Sequence, residues 1–252
     1  AELALHLPRE LGTLDLHGMV PGVQVQPRIG LADEKTKLQD YCNWLIEQVP
    51  EAFETLLSGP NQLRVQKSFV LAGNRRADMP TFILTAPGPI FTFPERIYID
   101  QPQDVDLGDK DRIFRKALDE LRSRFSDRQV RRVGVIHELV FDTGQFNSLE
   151  IIASNLKSDI WRERLVNINI HLETPQQDKN INLDIRPTHV MRARGGVVDV
   201  PQQDTMFGII VNLEINNRQI KGDLSKSEVN DILTFAADYV PDGLIKFLNN
   251  EY

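Results

Sequence analysis

The stretch GDKDRIFRKALDELRSRFSDRQVRRVGVIHELVFD, residues 108–142, decides the fold, because a strong helical pattern runs almost directly into the longest strand pattern in the chain. Over Asp109 to Phe125 the apolar residues Ile113, Phe114, Ala117, Leu118, Leu121 and Phe125 recur at helical spacing. Arg112, Arg115, Lys116, Asp119, Arg122 and Arg124 take the other side. From Arg131 to Asp142 the period changes to two. Val133, Val135, His137, Leu139 and Phe141 alternate with Arg132, Gly134, Ile136, Glu138 and Val140, as a half-buried strand requires.

Upstream of this hinge, residues 1–21 mix leucines with Pro8, Gly12, Gly18 and Pro21, and read as an arm laid on the surface. Val23 and Val25 then alternate with Gln24 and Gln26 in a short strand ended by Pro27. From Asp33 the apolar residues Leu38, Tyr41, Cys42, Leu45, Ile46, Val49, Phe53, Leu56 and Leu57 predict one long helix. Pro50 should kink it and Gly59-Pro60 should stop it. Strands are expected over 63–71, 81–85, 90–93 and 96–99, separated by Gly and Pro.

Downstream, a short helix is expected near Ser148 to Leu156, followed by alternating runs at 166–173, 181–186 and 207–215. Val190 to Val200, broken at Gly195-Gly196, should form a further strand with a bulge. The closing helix begins at Ser225, with Glu228 three residues on to complete a capping box. Pro241-Asp242-Gly243 should break the chain before a last turn.

The fold class is therefore α+β: after the arm, residues 22–126 and 127–252 each read as strand, helix, about four antiparallel strands, helix. Helices with one apolar stripe belong on one face of such a sheet. The order resembles the duplicated saddle of the TATA-box-binding-protein-like topology and, less closely, the helix-grip folds. The resemblance is one of element order and implies no site residues.

The 252 residues, 41% hydrophobic and 26% charged, match an ordinary soluble globular protein with room for a full core. A net charge of −7 disfavours nucleic acid and anionic membrane, both of which attract accumulated positive charge. The single Cys42 allows no intrachain disulfide and no cysteine-based zinc site, and no apolar run is long enough to cross a membrane. A cytoplasmic protein is expected.

Candidate residues fall in two groups. If helices cover the apolar face, the other face of the second half displays Asn167, Asn169, His171, Glu173, Asn182, Asp184, Arg186, Asn212 and Glu214. This polar face is expected to dock a protein partner or a second copy, or to stay solvated. Between Lys110 and Arg132 stand nine basic residues, among which Arg122, Arg124, Arg128, Arg131 and Arg132 cluster at a helix end. They either complement the helix dipole or form a site for an anion or an acidic partner.

Other patterns fail on chemistry. His137-Glu138 lacks a second histidine four residues on, since position 141 is Phe141, and lies on a strand pattern; it reads as a core histidine. Asp104, Asp106, Asp109 and Asp111 have Arg115 where a calcium loop requires glutamate. Arg192, Arg194, Gly195 and Gly196 fit a bulge better than a phosphate grip, and no GxxxxGK, GxGxxG or GxSxG pattern occurs. Cys42 lies on a buried stripe. No metal, cofactor or catalytic residue is expected, and the expectation is a non-catalytic binding or assembly module. The alternative is a small-ligand binder or enzyme with a cavity between sheet and helices, anchored by His171, His189, Arg186 or Arg194.

Overall fold

A computed structural model describes residues 15–27, 31–60, 62–71, 75–85, 88–92, 97–98, 109–126, 129–153, 168–193, 203–217 and 223–249. The chain order is β1 (Asp15–Pro27), α1 (Leu31–Gln48), β2 (Thr55–Ser58), β3 (Leu63–Leu71), β4 (Arg75–Thr85), β5 (Gly88–Thr92), β6 (Ile97–Tyr98) and α2 (Asp109–Arg124). It continues with β7 (Val130–Gly144), α3 (Ser148–Ala153), β8 (Ile170–Gln176), β9 (Lys179–Ala193), β10 (Gln203–Asn217) and α4 (Lys226–Tyr239). A π-helical segment, Val240–Ile245, and a helical turn, Lys246–Leu248, complete it. The molecule is mixed α+β, with one large antiparallel sheet.

The described strands form a single sheet in the order β2-β3-β4-β5-β1-β7-β10-β9-β8, with β6 also on β1. Every pairing is antiparallel. The alternation read from β7 decides which face is buried. Val133, Val135, His137, Leu139 and Phe141 all lie at or below 3% exposure. The apolar stripes of α1, α2, α3 and α4 join one core with this face. In the first half that core is aromatic: Tyr41 meets Phe82 edge-on at 5.8 Å, and the rings of Phe82 and Phe91 lie 4.9 Å apart. Such pairs add about 1 kcal/mol each beyond their area.

Two sets of bonds fix the helices. The buried Tyr41 hydroxyl donates to the Ala117 carbonyl at 2.8 Å, joining α1 to α2. Arg115 on α2 reaches Asn230 and Thr234 on α4 at 3.1 and 3.2 Å, and Lys226 pairs with Asp119 at 2.6 Å. The Ser225–Glu228 capping box starts α4, as its spacing implies.

Four expectations need correction. β1 begins at Asp15, so residues 15–21 of the expected arm belong to the sheet, along β7; residues 1–14 lie outside the described residues. The helix expected to reach Leu57 ends at Gln48, two residues before Pro50, whose missing N–H and ring oppose another turn. Leu56 and Leu57 instead alternate on β2, Leu56 against the core and Leu57 outward. No separate strand starts at Val190, because β9 runs on to Ala193; Arg194 to Val200 lie outside the described residues. Finally, Pro241 does not break the chain. The wider π-helical bonding over Val240–Ile245 accommodates a residue without an N–H.

Candidate functional site

The face turned away from the helices is read from cross-strand register. One row runs His171, Asp184, Asn212, Glu138 across β8, β9, β10 and β7. The next runs Glu173, Asn182, Glu214, Ile136, and the third Pro175, Asn180, Asn216, Gly134. The third row continues into the first half through Gln24, Ile90, Ile83, Arg64 and Leu57. Period-two alternation thus brings the expected polar residues together. Arg186 shares their face, Asn169 is exposed just before β8, and Asn167 lies outside the described residues. The first-half end of the face mixes apolar and polar residues: Ile83 and Ile90 are half-buried, apart from the core, Leu57 is 45% exposed, and Arg64 lies between Ile83 and Leu57.

The polar rows are bonded to one another. Arg132 donates to Glu214 at 2.9 Å, Asn216 to the same Glu214 oxygen at 2.7 Å, and Asn180 to Glu173 at 2.5 Å. His171 Nδ1 lies 2.9 Å from Asp184 Oδ1. Arg132, His171, Glu173, Asn180, Asn182, Asn216 and Asn217 line a hollow of about 330 Å³, in which the buried Asn182 Oδ1 has no hydrogen-bond partner. Asn180 and Asn216 were not assigned to this face from sequence, and Arg132, though placed on the Glu138 side of its strand, was counted with the arginine cluster. The signal was their parity, since Asn180 is two before Asn182, Asn216 two after Glu214, and Arg132 in phase with Glu138.

Among the described residues the arginines of the cluster turn to different partners. Arg122 donates to the Leu224 carbonyl at 2.7 Å, Arg124 pairs with Glu120 at 2.6 Å on its own helix, and Arg132 belongs to the polar face. Arg131 holds a buried Nε without a partner, and Arg128 lies outside the described residues.

A second hollow, about 510 Å³ and open to solvent, lies on the helix side of β8. Leu172, Thr174 and Gln176 of β8 and Ile181 and Leu183 of β9 form one wall; Phe235, Asp238, Tyr239, Gly243 and Phe247 form the other. Phe235 and Tyr239 stack at 5.7 Å. Glycine is required at 243, where a Cβ would stand 2.6 Å from two ring carbons of Tyr239. Lys179 holds Asp178 at 2.8 Å, with its Nζ 5.1 Å from the centre of the Phe235 ring. None of the three expected anchors among the described residues lines this hollow. His171 and Arg186 have the opposite parity on their strands, His189 is exposed beside Phe207, and Arg194 lies outside the described residues. Phe235 and Tyr239 were missed because they flank the stripe of Val229, Ile232, Leu233 and Ala236, although their i, i+4 spacing marked a second row.

Buried reactive groups are inert. Burial pushes the Cys42 thiol up to about 12, away from thiolate chemistry. His137 is fully buried, its Nδ1 3.0 Å from the Ile136 carbonyl and its Nε2 without a partner, and burial lowers its pKa to about 4. Among the described residues no cluster of His, Cys, Asp and Glu has metal-binding geometry, and no helix is long and apolar enough to cross a membrane. The chain matches no family model, no curated protein and no solved structure.

Proposed function

We propose that the protein is a non-catalytic binding or assembly module that engages a protein partner, or a second copy of itself, through the second-half end of its sheet. The observation carrying this reading is the polar end of the sheet: the helices bury one face, while the other presents His171, Glu173, Asn182, Asp184, Asn212 and Glu214 beside a small buried pair, Val140 and Ile210. Arg132 contributes to this surface, whereas Arg122 and Arg124 turn to the Leu224 carbonyl and to Glu120. In the same reading the two halves are a structural repeat of the TATA-box-binding-protein-like order. Its support is that late strands of each half, β5 and β6 or β10, lie against the first, β1 or β7, and that β1 and β7 join the halves.

Native mass spectrometry of protein purified gently from its own host, followed by cross-linking, tests the function. The expected result is a partner or second chain whose cross-links and hydrogen-exchange protection fall on β8 to β10. A bare single chain, with no such protection, overturns it. A second reading, binding of a small apolar ligand, is favoured by the 510 Å³ hollow, a size typical of ligand pockets. It predicts a few hundred daltons of extra mass that survives desalting.

A further inference from the structure

We propose that β8 is a docking edge: an extended segment of a partner protein adds to it as a further strand, in the groove between β8 and α4, with a lysine or arginine set against Asp238. This rests on the protein-binding reading and gives it a place and a ligand chemistry.

The hairpin register shows which backbone groups are free. β8 and β9 are joined by the two-residue turn Gln177-Asp178, with Gln177 at φ 56°, closed by the pair Gln176 and Lys179. The closing pair of such a turn exchanges both hydrogen bonds, and so do the pairs two and four residues away, Thr174 with Ile181 and Leu172 with Leu183. His171, Glu173 and Pro175 therefore aim their backbone groups the other way, where β8 has no neighbouring strand among the described residues. That edge offers the N–H and C=O of His171 and Glu173 and the C=O of Pro175. Because Pro175 has no N–H, the template is short, and side chains must supply the rest of the affinity.

The groove provides for them. Leu172, Thr174 and Gln176 on β8 face Phe235 and Tyr239 on α4 across the 510 Å³ hollow. A strand laid along the edge drops every second side chain between these walls, so backbone pairing and apolar burial come together, as in β-strand addition generally. A compact small molecule fills the hollow and leaves the edge unpaired. Charge completes the description of the occupant. Asp238 is the one carboxylate lining the groove, is exposed and has no ionic partner among the described residues, whereas the neighbouring Lys179 is already held by Asp178. An uncompensated carboxylate beside apolar walls selects a cation flanked by apolar residues.

The test is phage panning of random heptapeptides on the full chain, then fluorescence anisotropy of the selected peptide. The expected consensus has apolar, largely β-branched residues at alternate positions with a Lys or Arg among them. Asp238→Lys, a surface change, should weaken that peptide at least about tenfold and shift selection toward acidic peptides. Glu173→Pro removes an outward N–H and no backbone bond to β9, and, measured against Glu173→Ala, which loses the same Asn180 side-chain bond but keeps the N–H, should weaken it similarly with an unchanged circular dichroism spectrum. No consensus, or equal affinity of the wild type and both variants, overturns the proposal. So does a chain dimer that pairs through this edge in place of peptide, or a groove that takes 8-anilinonaphthalene-1-sulfonate and no peptide. If a partner copurifies but its cross-links map to Asn182, Asp184 and Asn212 and not to the β8 edge, this inference fails while the binding-module reading stands. If neither partner nor peptide is found, both fail.

Discussion

His137 makes the stability of this protein depend on pH in a window that can be worked out from the structure. The ring lies on the core face of β7, 1% exposed, between Pro21 on β1 and Leu213 on β10, neither of which can stabilise an imidazolium. Burial lowers its pKa from 6.5 to about 4, against a weaker opposing pull from the Ile136 carbonyl. As pH falls, the unfolded chain takes up the proton first, near 6.5, and the folded protein only near 4. The contribution is therefore whole above 6.5, falls by about 1.4 kcal/mol per pH unit, and levels off below 4 after a loss of roughly 3 kcal/mol. The perturbation is His137→Leu, which removes the titration and also the buried, unpartnered Nε2. Removing an unsatisfied polar group for an apolar one is near neutral or stabilising at pH 7. Urea unfolding of both proteins at half-unit steps from pH 7.5 to 4 is the assay. The wild type should lose about 3 kcal/mol relative to the variant across that range. Parallel pH profiles would refute the reasoning, because they would mean that the ring is solvated or paired in the folded state.

Three further outcomes follow from single contacts. Gly243→Ala forces a methyl group to within 2.6 Å of the Tyr239 ring and should cost about 1–3 kcal/mol in chemical denaturation, with partial recovery when Tyr239→Leu is added. Asn217 accepts from the Val133 N–H at 3.0 Å and donates to the Arg131 carbonyl at 3.0 Å, prolonging the β7–β10 ladder by its side chain. Asn217→Ala should cost about 1–3 kcal/mol, and Asn217→Asp no less, because it sets a buried carboxylate oxygen against the Arg131 carbonyl. Cys42, wholly buried with its thiol pushed up to about 12, should resist a thiol reagent at pH 8 in the native protein and react fully in denaturant; rapid native labelling would contradict its burial.

What the sequence made legible was parity, and what it hid was neighbourhood. On β8, β9 and β10 alternation gave each residue's side of the strand, so His171, Asn182, Asp184, Asn212 and Glu214 could be assigned to one face before any partner strand was known, although Val140, on the same face, and Ile210 are buried there too. The same device failed on Leu56 and Leu57. Two leucines in a four-residue strand suit a helix stripe as well as an alternation, and the helix pattern before them captured both. The apolar groove was invisible for a different reason. Its walls come from β8, β9, α4 and the segments after it, and only register and helix placement bring Leu172 opposite Phe235. For the arginines, charge density says nothing about where each guanidinium turns. Arg122 spends its donor on a carbonyl and Arg124 on the carboxylate one turn back.

The prolines carry the strand argument further than composition does, because each reports which side of its strand lacks a donor. Carrying the alternation of bonded pairs from the β8–β9 turn through β10 and β7 to β1 makes Val20, Gly22 and Gln24 the residues bonded to β7. Pro21 then faces the other side. There β1 passes from β6, paired at Gly18 and Met19, to β5, paired from Gly22 onward, so the residue without an N–H falls in the gap between two partners. Pro187 sits two residues past the last β8–β9 pair, Ile170 with Ile185, where no β8 acceptor remains on its donor side. Pro175, on β8 itself, follows the same rule with its absent donor aimed outward. A proline that faced β9 would weaken the sheet; this one leaves the ladder intact and shortens the exposed edge to the stretch around His171 and Glu173. Pro175→Val should therefore leave stability within about 0.5 kcal/mol while lengthening the strand edge open to pairing. Stronger self-association of that variant in sedimentation velocity, without loss of stability, is the expected result; a large destabilisation would mean that the assigned register is wrong.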